Sequence, residues 1–383
     1  DNSDKKSVVK VLGNKLITGG KSVSVFEEKL KKYLKVKFAS TCINGTAALH
    51  MAFEAIKLKR GEVVIMPVVN FVASYNMATL YGAKTYFADV DHLTGQMTPE
   101  TLVKCIKKNN LKKIKAVVTM YMGGYPENSF EFYKLKFKYK FLIIEDACHA
   151  FGSNYFHNNK KIRVGSCLHS DLCTFSFHPV KSITTGEGGL ITTNKKPLFK
   201  RIEKFANHNI SRGKKYWDYE IYSPGFNYRL SDINCALGIS QLKKINFFIT
   251  KRKKIYKIYK KELQKFDHLI SSANYEQKNH PSYHLIIFSI NFKYLKTNKD
   301  IFIKYMNSKK IYPQFHYKPI IQFKYLKKKG NKLKNFEGAK KYFTNNISLP
   351  IYVNMKQEEV FKIINTLKSF FKKKLPSSRI NNI

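Results

Sequence analysis

The 383-residue chain is predicted to be an α/β protein with a mostly parallel central sheet, on three observations. Apolar runs of strand length alternate with amphipathic helix-length stretches, the pattern of a parallel sheet covered by helices. Residues 141–144, Phe-Leu-Ile-Ile, are continuously apolar, as a strand buried on both faces requires. Finally, windows poor in basic residues stand out in a chain with 70 Lys and Arg: 38–56, 61–83, 116–133, 141–159 and 164–194. Buried strands exclude lysine, but these windows also carry Asn, Thr, Ser, Asp and His after their apolar runs. That combination fits a cleft at the strand ends better than a plain core.

Val23, Phe26, Leu30, Tyr33 and Leu34 recur at helical spacing and predict an N-terminal amphipathic helix. Residues 38–50 read as a short apolar stretch, an Asn44-Gly45-Thr46 turn and an Ala-rich helix. A small-residue turn opening a helix offers N–H groups to an anion, although an ordinary cap explains it equally. Strands are expected at 63–66, 84–87 and 114–119, and a helix over 70–80 with Phe71 near its start. Thr98-Pro99-Glu100 marks a helix start by its cap, its Pro at the first helical position and its early acid. The strand ending at Asp146 places Glu145, Asp146 and His149 where ligands of open α/β sheets bind. Strands at 172–177 and 189–193 flank Lys181, with a helix following to about residue 207. The stretch 207–228, holding the single Trp217, reads as a long irregular loop, and Ser231-Asp232 as the cap of a helix to about 244. Beyond it lysine-rich helices with strands at 283–292 and 311–315 form a second, smaller α/β domain, and 372–383 reads as a frayed tail. The expected domains are therefore 1–244 and 245–383.

A hydrophobic content of 43% with 24 Tyr and 29 Phe argues a folded chain rather than a disordered one. No apolar run is long enough to span a membrane, and no apolar segment follows the first charges, so no secretion signal is expected. The six cysteines lack C-x-x-C spacing, which points to reduced thiols, a cytoplasmic protein and no metal site. The formal charge of +44 is spread over nearly every helix rather than clustered. A nucleic-acid footprint is therefore not expected, whereas an anionic small substrate is.

Lys181 is the one basic residue between 164 and 194, set among Phe, Pro, Val, Ile and Gly. Desolvation lowers a lysine pKa, and a neutral amine forms Schiff bases with carbonyls; the plain alternative is a lysine snorkelling from a core strand. Pyridoxal phosphate needs a lysine for its aldehyde, a carboxylate for its ring nitrogen, a stacking aromatic and donors for its phosphate. Each has a candidate in the lysine-poor windows, Asp146 being the carboxylate.

The motifs Asn44-Gly45-Thr46-Ala47-Ala48-Leu49, Phe71-Val72-Ala73 and Ile144-Glu145-Asp146-Ala147 with His149 resemble the DegT-type sugar-nucleotide aminotransferases. So do Phe175-Ser176-Phe177-His178-Pro179-Val180-Lys181 with Thr184-Thr185-Gly186-Glu187-Gly188-Gly189, and Phe226-Asn227-Tyr228-Arg229. The resemblance implies a fold type I enzyme dependent on pyridoxal 5'-phosphate, usually a homodimer, with a seven-stranded-type large domain. Lys181 would hold the cofactor aldehyde and shuttle protons, Asp146 would pair with the ring nitrogen, Phe71 would stack on the ring, and His149 would lie by the ring hydroxyl. Thr46, Ala47 and Ser176 would bind the phosphate, with Asn227 reaching from the other subunit. Arg229, His178, His316 and Tyr317 are substrate-side candidates. The implied reaction moves an amino group from glutamate to the C4 keto group of a UDP-linked 4-keto-6-deoxy-N-acetyl-hexosamine. His178-Pro179-Val180-Lys181 and Gln314-Phe315-His316-Tyr317 most resemble the UDP-4-amino-4,6-dideoxy-N-acetyl-altrosamine transaminase subgroup, which feeds pseudaminic acid and surface glycans. Another NDP-keto-deoxysugar, of the perosamine or aminoarabinose type, is the alternative. Asn70, Ser182 and Tyr121-Met122-Gly123-Gly124 depart from the family pattern. A dehydratase of the same fold would carry histidine in place of Lys181, and a regulator that only binds the cofactor would be expected to lose Lys181 or Asp146.

Overall fold

The computed structural model describes residues 1–215, 217–272, 279–327 and 332–375. The chain begins with α1 (Asn2–Leu12), α2 (Lys21–Leu34), β1 (Phe38–Cys42), α3 (Gly45–Ala55), β2 (Val63–Pro67), α4 (Ala73–Leu80) and β3 (Lys84–Ala88). It continues through α5 (Pro99–Lys108), β4 (Ala116–Met120), α6 (Ser129–Tyr139), β5 (Leu142–Asp146), β6 (Asn154–His157), β7 (Lys160–Arg163), β8 (Leu172–Ser176) and β9 (Gly189–Thr193). Next come α7 (Lys196–Ala206), β10 (Ile210–Arg212), β11 (Tyr219–Ile221), α8 (Asp232–Leu242), α9 (Ile245–Leu263), β12 (Ile270–Ser272) and β13 (Ile286–Ile290). The last elements are α10 (Lys299–Ser308), α11 (Lys324–Lys327), α12 (Glu337–Asn345), β14 (Asn346–Leu349) and α13 (Gln357–Lys374).

Seven strands form the central sheet in the order β1-β9-β8-β5-β4-β2-β3. All run the same way except β9, which is antiparallel to both β1 and β8. The connection between β8 and β9 holds no helix, and a parallel return needs a crossover, so β9 must fold straight back. The strand that ends at Asp146 lies at the centre, between β4 and β8, and its residues 143–146 are buried. Helices α3, α4 and α7 pack on one face, whose core includes Leu49, Phe53, Val64, Ile144 and Phe205. Phe26, Leu30 and Leu34 of α2 pack on the other, against Phe151, Phe175 and Phe177. Helix starts are capped both locally and at a distance: Thr98 caps α5 as its sequence predicts, and Asp232 caps α2 from afar by accepting the Gly20 and Ser22 N–H groups at 2.7 Å.

The C-terminal part builds its own three-stranded antiparallel sheet, β12-β13-β14. Ile255, Tyr259, Phe288, Phe302, Ile364 and Phe370 form a separate core there. The expected strand at 311–315 is absent: only Gln314 bridges, to Ser348, because Pro313 removes a donor from the ladder. The expected irregular loop at 207–228 holds a hairpin, β10 with β11, and Trp217 lies exposed in the connection between its two strands. The expected helix over 70–80 begins only at Ala73. Residues 372–374 belong to α13 rather than to a tail, and 376–383 lie outside the described residues. The hairpin β6–β7 was not anticipated, although Asn158 and Asn159, both in the left-handed region, supply its two-residue turn. Among the described residues no helix is long and apolar enough to cross a membrane.

Candidate active site

Asp146 ends β5 with 3% of its surface exposed, one strand position from the equally buried Glu145. Successive side chains on a strand point to opposite faces, and the two acids meet different surroundings. Glu145 accepts a 2.5 Å hydrogen bond from the Tyr121 hydroxyl, which also contacts Ser129 Oγ at 2.7 Å. Asp146 Oδ2 accepts from Ser74 Oγ at 3.0 Å, the Cys148 N–H approaches Oδ1 at 3.4 Å, and the Cys148 thiol is a further, weak donor. Burial pushes the Asp146 carboxyl above its usual range, opposed by those donors and by the charge of Lys181. A buried carboxylate so thinly supported needs a cation.

Lys181 supplies charge nearby and is itself partly buried. Desolvation holds its ammonium below the usual lysine pKa, with Cys148 and Asp146 pulling the other way. Its loop is tied down: Phe177 N–H donates to Gly188 O at 2.8 Å, Thr185 N–H to Phe177 O at 3.0 Å, and Lys181 N–H to His178 O at 2.9 Å. Asn234 of α8 adds a 2.6 Å bond from its amide to Thr185 O. The Gly-rich run thus serves to fold the lysine loop back between β8 and β9.

Beside this pair the first turn of α3 abuts the end of β8. A Cβ on Gly45 would lie 3.0 Å from Ser176 Cβ and 3.1 Å from Cys148 Sγ, so glycine permits the close approach. Asn44 caps the helix by accepting the Ala47 N–H at 2.8 Å. That occupies the Ala47 amide assigned to phosphate, leaving the exposed Thr46 and the preceding first-turn amides as the donors at this helix end. Ser176 sits across the same junction and accepts the His178 N–H at 3.4 Å.

His149 is buried, and Gly123 N–H donates to its Nδ1 at 3.3 Å. The proton therefore sits on Nε2, which donates to the Tyr317 hydroxyl at 2.8 Å. Gly124, next to the donor, has φ +88°, and a Cβ there would lie 2.5 Å from His149 O. The Gly123-Gly124 pair is thus what lets this turn close on the histidine. Burial and the Lys181 charge hold His149 well below the usual imidazole range, and the same holds for His284, whose tilted ring lies 4.5 Å from it. His316 Nδ1 meets Ser348 Oγ at 2.8 Å, and burial lowers this imidazole to about 4. Tyr317 also packs 5.6 Å from the ring of Phe71, which is 52% exposed over the cleft mouth.

Lys181, Asp146, His149, His316, Tyr317 and Phe71 are therefore brought together, with Thr46, Ala47 and Ser176 at the adjoining helix end. His178 is exposed and faces Glu187 at 3.9 Å. Asn227 and Arg229 are exposed; Arg229 bonds Asn207, and no hydrogen bond or ion pair joins either to the Lys181 group within this chain. Sequence reading passed over Ser74 and His284. Ser74 carried a signal, since it lies in a lysine-free window one helical turn after Asn70. His284 carried none, being a lone histidine on an otherwise apolar stretch. Among the described residues no group of His, Cys, Asp and Glu could hold a metal ion.

A family model described as the DegT/DnrJ/EryC1/StrS aminotransferase family matches residues 1–368. A UDP-4-amino-4,6-dideoxy-N-acetyl-beta-L-altrosamine transaminase from Campylobacter jejuni (strain 81-176) is 35% identical over 373 residues, covering 97% of this chain and 96% of the relative. A GDP-perosamine synthase from Escherichia coli O157:H7 is 36% identical over 244 residues, 64% of each chain. Among solved structures, Helicobacter pylori PseC, an aminotransferase involved in the biosynthesis of pseudoaminic acid, superposes with a TM-score of 0.87 at 29% identity, covering 97% of both chains.

Proposed function

Because the chain belongs to the DegT/DnrJ/EryC1/StrS aminotransferase family, whose members depend on pyridoxal phosphate, we propose that it aminates the C4 keto group of a UDP-linked 4-keto-6-deoxy-N-acetyl-hexosamine, with glutamate as donor. The observation that carries the catalytic assignment is the desolvated Lys181 acting on the buried, weakly supported carboxylate of Asp146. The residues present fit the cofactor: an amine of lowered pKa, a carboxylate lacking a cation, and a helix N-terminus meeting Ser176. When bound, pyridoxal phosphate supplies an aldehyde for the amine and a ring that accepts electrons from the substrate carbon.

In this reading Lys181 would hold the aldehyde through its Nζ and would carry the proton at the substrate carbon, a task that its lowered pKa favours. Asp146 holds a proton on the ring nitrogen by its negative charge. His149, a neutral Nε2–H donor oriented by Gly123, fixes the Tyr317 hydroxyl at the cleft wall, and Phe71 covers one face of the ring. Thr46 and Ser176 receive the phosphate at the α3 N-terminus, where the helix dipole favours an anion, while the Ala47 amide stays with the Asn44 cap. Asn227 completes the phosphate site from a second copy of the chain in a homodimer, which fits its exposure in one protomer, and Arg229, His178 and His316 lie on the substrate side. The same reading has the protein act in the cytoplasm, where nucleotide sugars are made, and divides the chain into 1–244 and a smaller domain of 245–383. The sugar assignment is supported by the identity to the Campylobacter transaminase over nearly the whole chain.

Single-turnover spectroscopy tests it. Protein loaded with pyridoxal phosphate and treated with glutamate is expected to lose its yellow absorbance, which the correct keto sugar then restores. Restoration by UDP-4-keto-6-deoxy-N-acetyl-hexosamine but not by GDP-4-keto-6-deoxy-mannose supports the assignment. The reverse pattern moves the enzyme to the perosamine type, and no bleaching by glutamate removes the donor.

A further inference from the structure

Asn70, Ser74 and Asp146 form a buried polar line beneath the cleft, 1%, 0% and 3% exposed respectively. Ser74 Oγ is 3.0 Å from Asp146 Oδ2, and Asn70 Nδ2 is 3.5 Å from Ser74 Oγ. The direction of the bonds follows from chemistry. An ionised carboxylate has no hydrogen to give, so Ser74 donates to Asp146. The Ser74 oxygen then has lone pairs free, and the Asn70 amide nitrogen donates to one of them. Asn70 cannot flip, because its Oδ1 accepts the N–H of Phe71 at 2.7 Å. Nor is Asn70 the cap of α4: the cap position is Val72, and no side chain bonds to that helix end. The residue thus spends its polar atoms on Phe71 at one side and on Ser74 at the other.

We propose that Asn70 and Ser74 are positioning residues that act through Asp146, a one-way chain of donors that keeps the carboxylate ionised and aimed at the cofactor ring nitrogen while Asn70 fixes the backbone of the stacking residue Phe71. The proposal rests on the reading of Asp146 as the partner of that nitrogen. It explains what the buried amide at position 70 does. With Ser74 removed, Asp146 keeps only its contacts with Cys148, the N–H at 3.4 Å and the thiol, a weak donor.

The test uses enzyme loaded with pyridoxal phosphate labelled with 15N in the ring, in which the nitrogen signal separates protonated from neutral. In Ser74→Ala the signal is expected to move toward the neutral position and the cofactor Kd to rise about tenfold, the effect of one hydrogen bond to a charged group. Ser74→Thr restores both. Asn70→Ser is expected to weaken cofactor binding about threefold on its own and to add less than that in the Ser74→Ala background, where only its hold on Phe71 remains to be lost. Additive effects overturn the chain of donors. So does a wild-type nitrogen signal in Ser74→Ala, even with a lowered melting temperature of the apoprotein, because that marks Ser74 as structural only. Asp146→Asn separates the two levels. If it leaves the nitrogen signal unchanged, the reading of Asp146 fails; if it neutralises the nitrogen while Ser74→Ala does not, only the relay fails.

Discussion

Glu145 and Asp146 are neighbours on one central strand, both buried and both pushed toward the neutral form by burial, yet they belong to opposite kinds of environment. Glu145 faces a finished pocket: the Tyr121 hydroxyl reaches it at 2.5 Å, and Ser170 and Cys173 are further donors. Asp146 faces an unfinished one: Ser74 and Cys148 donate to it, and of the two acids it alone feels the charge of a nearby amine, Lys181, whose own charge is disfavoured. In the proposed reading the difference separates a carboxylate that holds the fold from one that holds the cofactor. Burial alone marks both; the neighbouring Lys181 charge tells them apart.

The comparison is broken most strongly on the Asp146 side. Lys181→Ala is expected to lower turnover by at least about 10⁴-fold, since it removes both the Schiff-base amine and the proton carrier. Steady-state rates and the absent yellow absorbance check this. Asp146→Asn keeps size and removes charge, and a loss of about 10²- to 10³-fold in turnover is expected, in the range found for lost electrostatic stabilisation. Its unfolding free energy should change little or rise, because a weakly paired buried charge is gone. Across the strand the pattern reverses. Tyr121→Phe leaves Glu145 without its closest donor, so denaturant unfolding should show a loss of about 1 to 3 kcal/mol while turnover per folded molecule stays within about twofold. A large loss of turnover there would place Glu145 in the chemistry and dissolve the contrast.

Much of this was legible before any coordinates. In so lysine-rich a chain, packing excludes basic residues from the buried strands, so Lys181 stands out between β8 and β9, where the structure brings its charge to bear on Asp146. The strand ending at Asp146 was legible for the same reason, its apolar run being continuous. The partition of the two acids was not, because it depends on Tyr121, Ser129 and Ser74, which approach from three other segments. Likewise the reversal of β9 follows from the length of a connection rather than from its residues, and the bridge at Gln314 replaces a strand because Pro313 interrupts a stretch otherwise rich in strand-forming residues. Local composition reveals which residues are buried. It does not reveal which partner completes them.

The histidines sharpen the same comparison by a smaller effect. Around the unfinished pocket His316 is kept neutral by burial and by the Lys181 charge, its pKa lowered to about 4 from the usual 6.5. Ser348 Oγ contacts its Nδ1, and His149 and Tyr317 lie beside it, so no carboxylate stands ready to accept its charge. Between pH of about 6.5 and about 4 the unfolded chain therefore binds a proton at this position that the folded chain refuses, and stability contributed above pH 6.5 is lost as the pH falls. Because His316 is partly solvent-accessible, a share of about 1 to 2 kcal/mol is expected rather than the full shift. His316→Gln, which cannot titrate, should flatten the acid limb of the stability curve by that amount, measured as the difference between variant and wild-type unfolding free energies at pH 7 and pH 4.5. Buried carboxyls whose pKa values are raised, Glu145 among them, act in the opposite sense, but they are common to both proteins and cancel in the difference. An unchanged acid limb would mean that His316 accepts a proton within the folded site, and that the pocket around Lys181 tolerates a second positive charge.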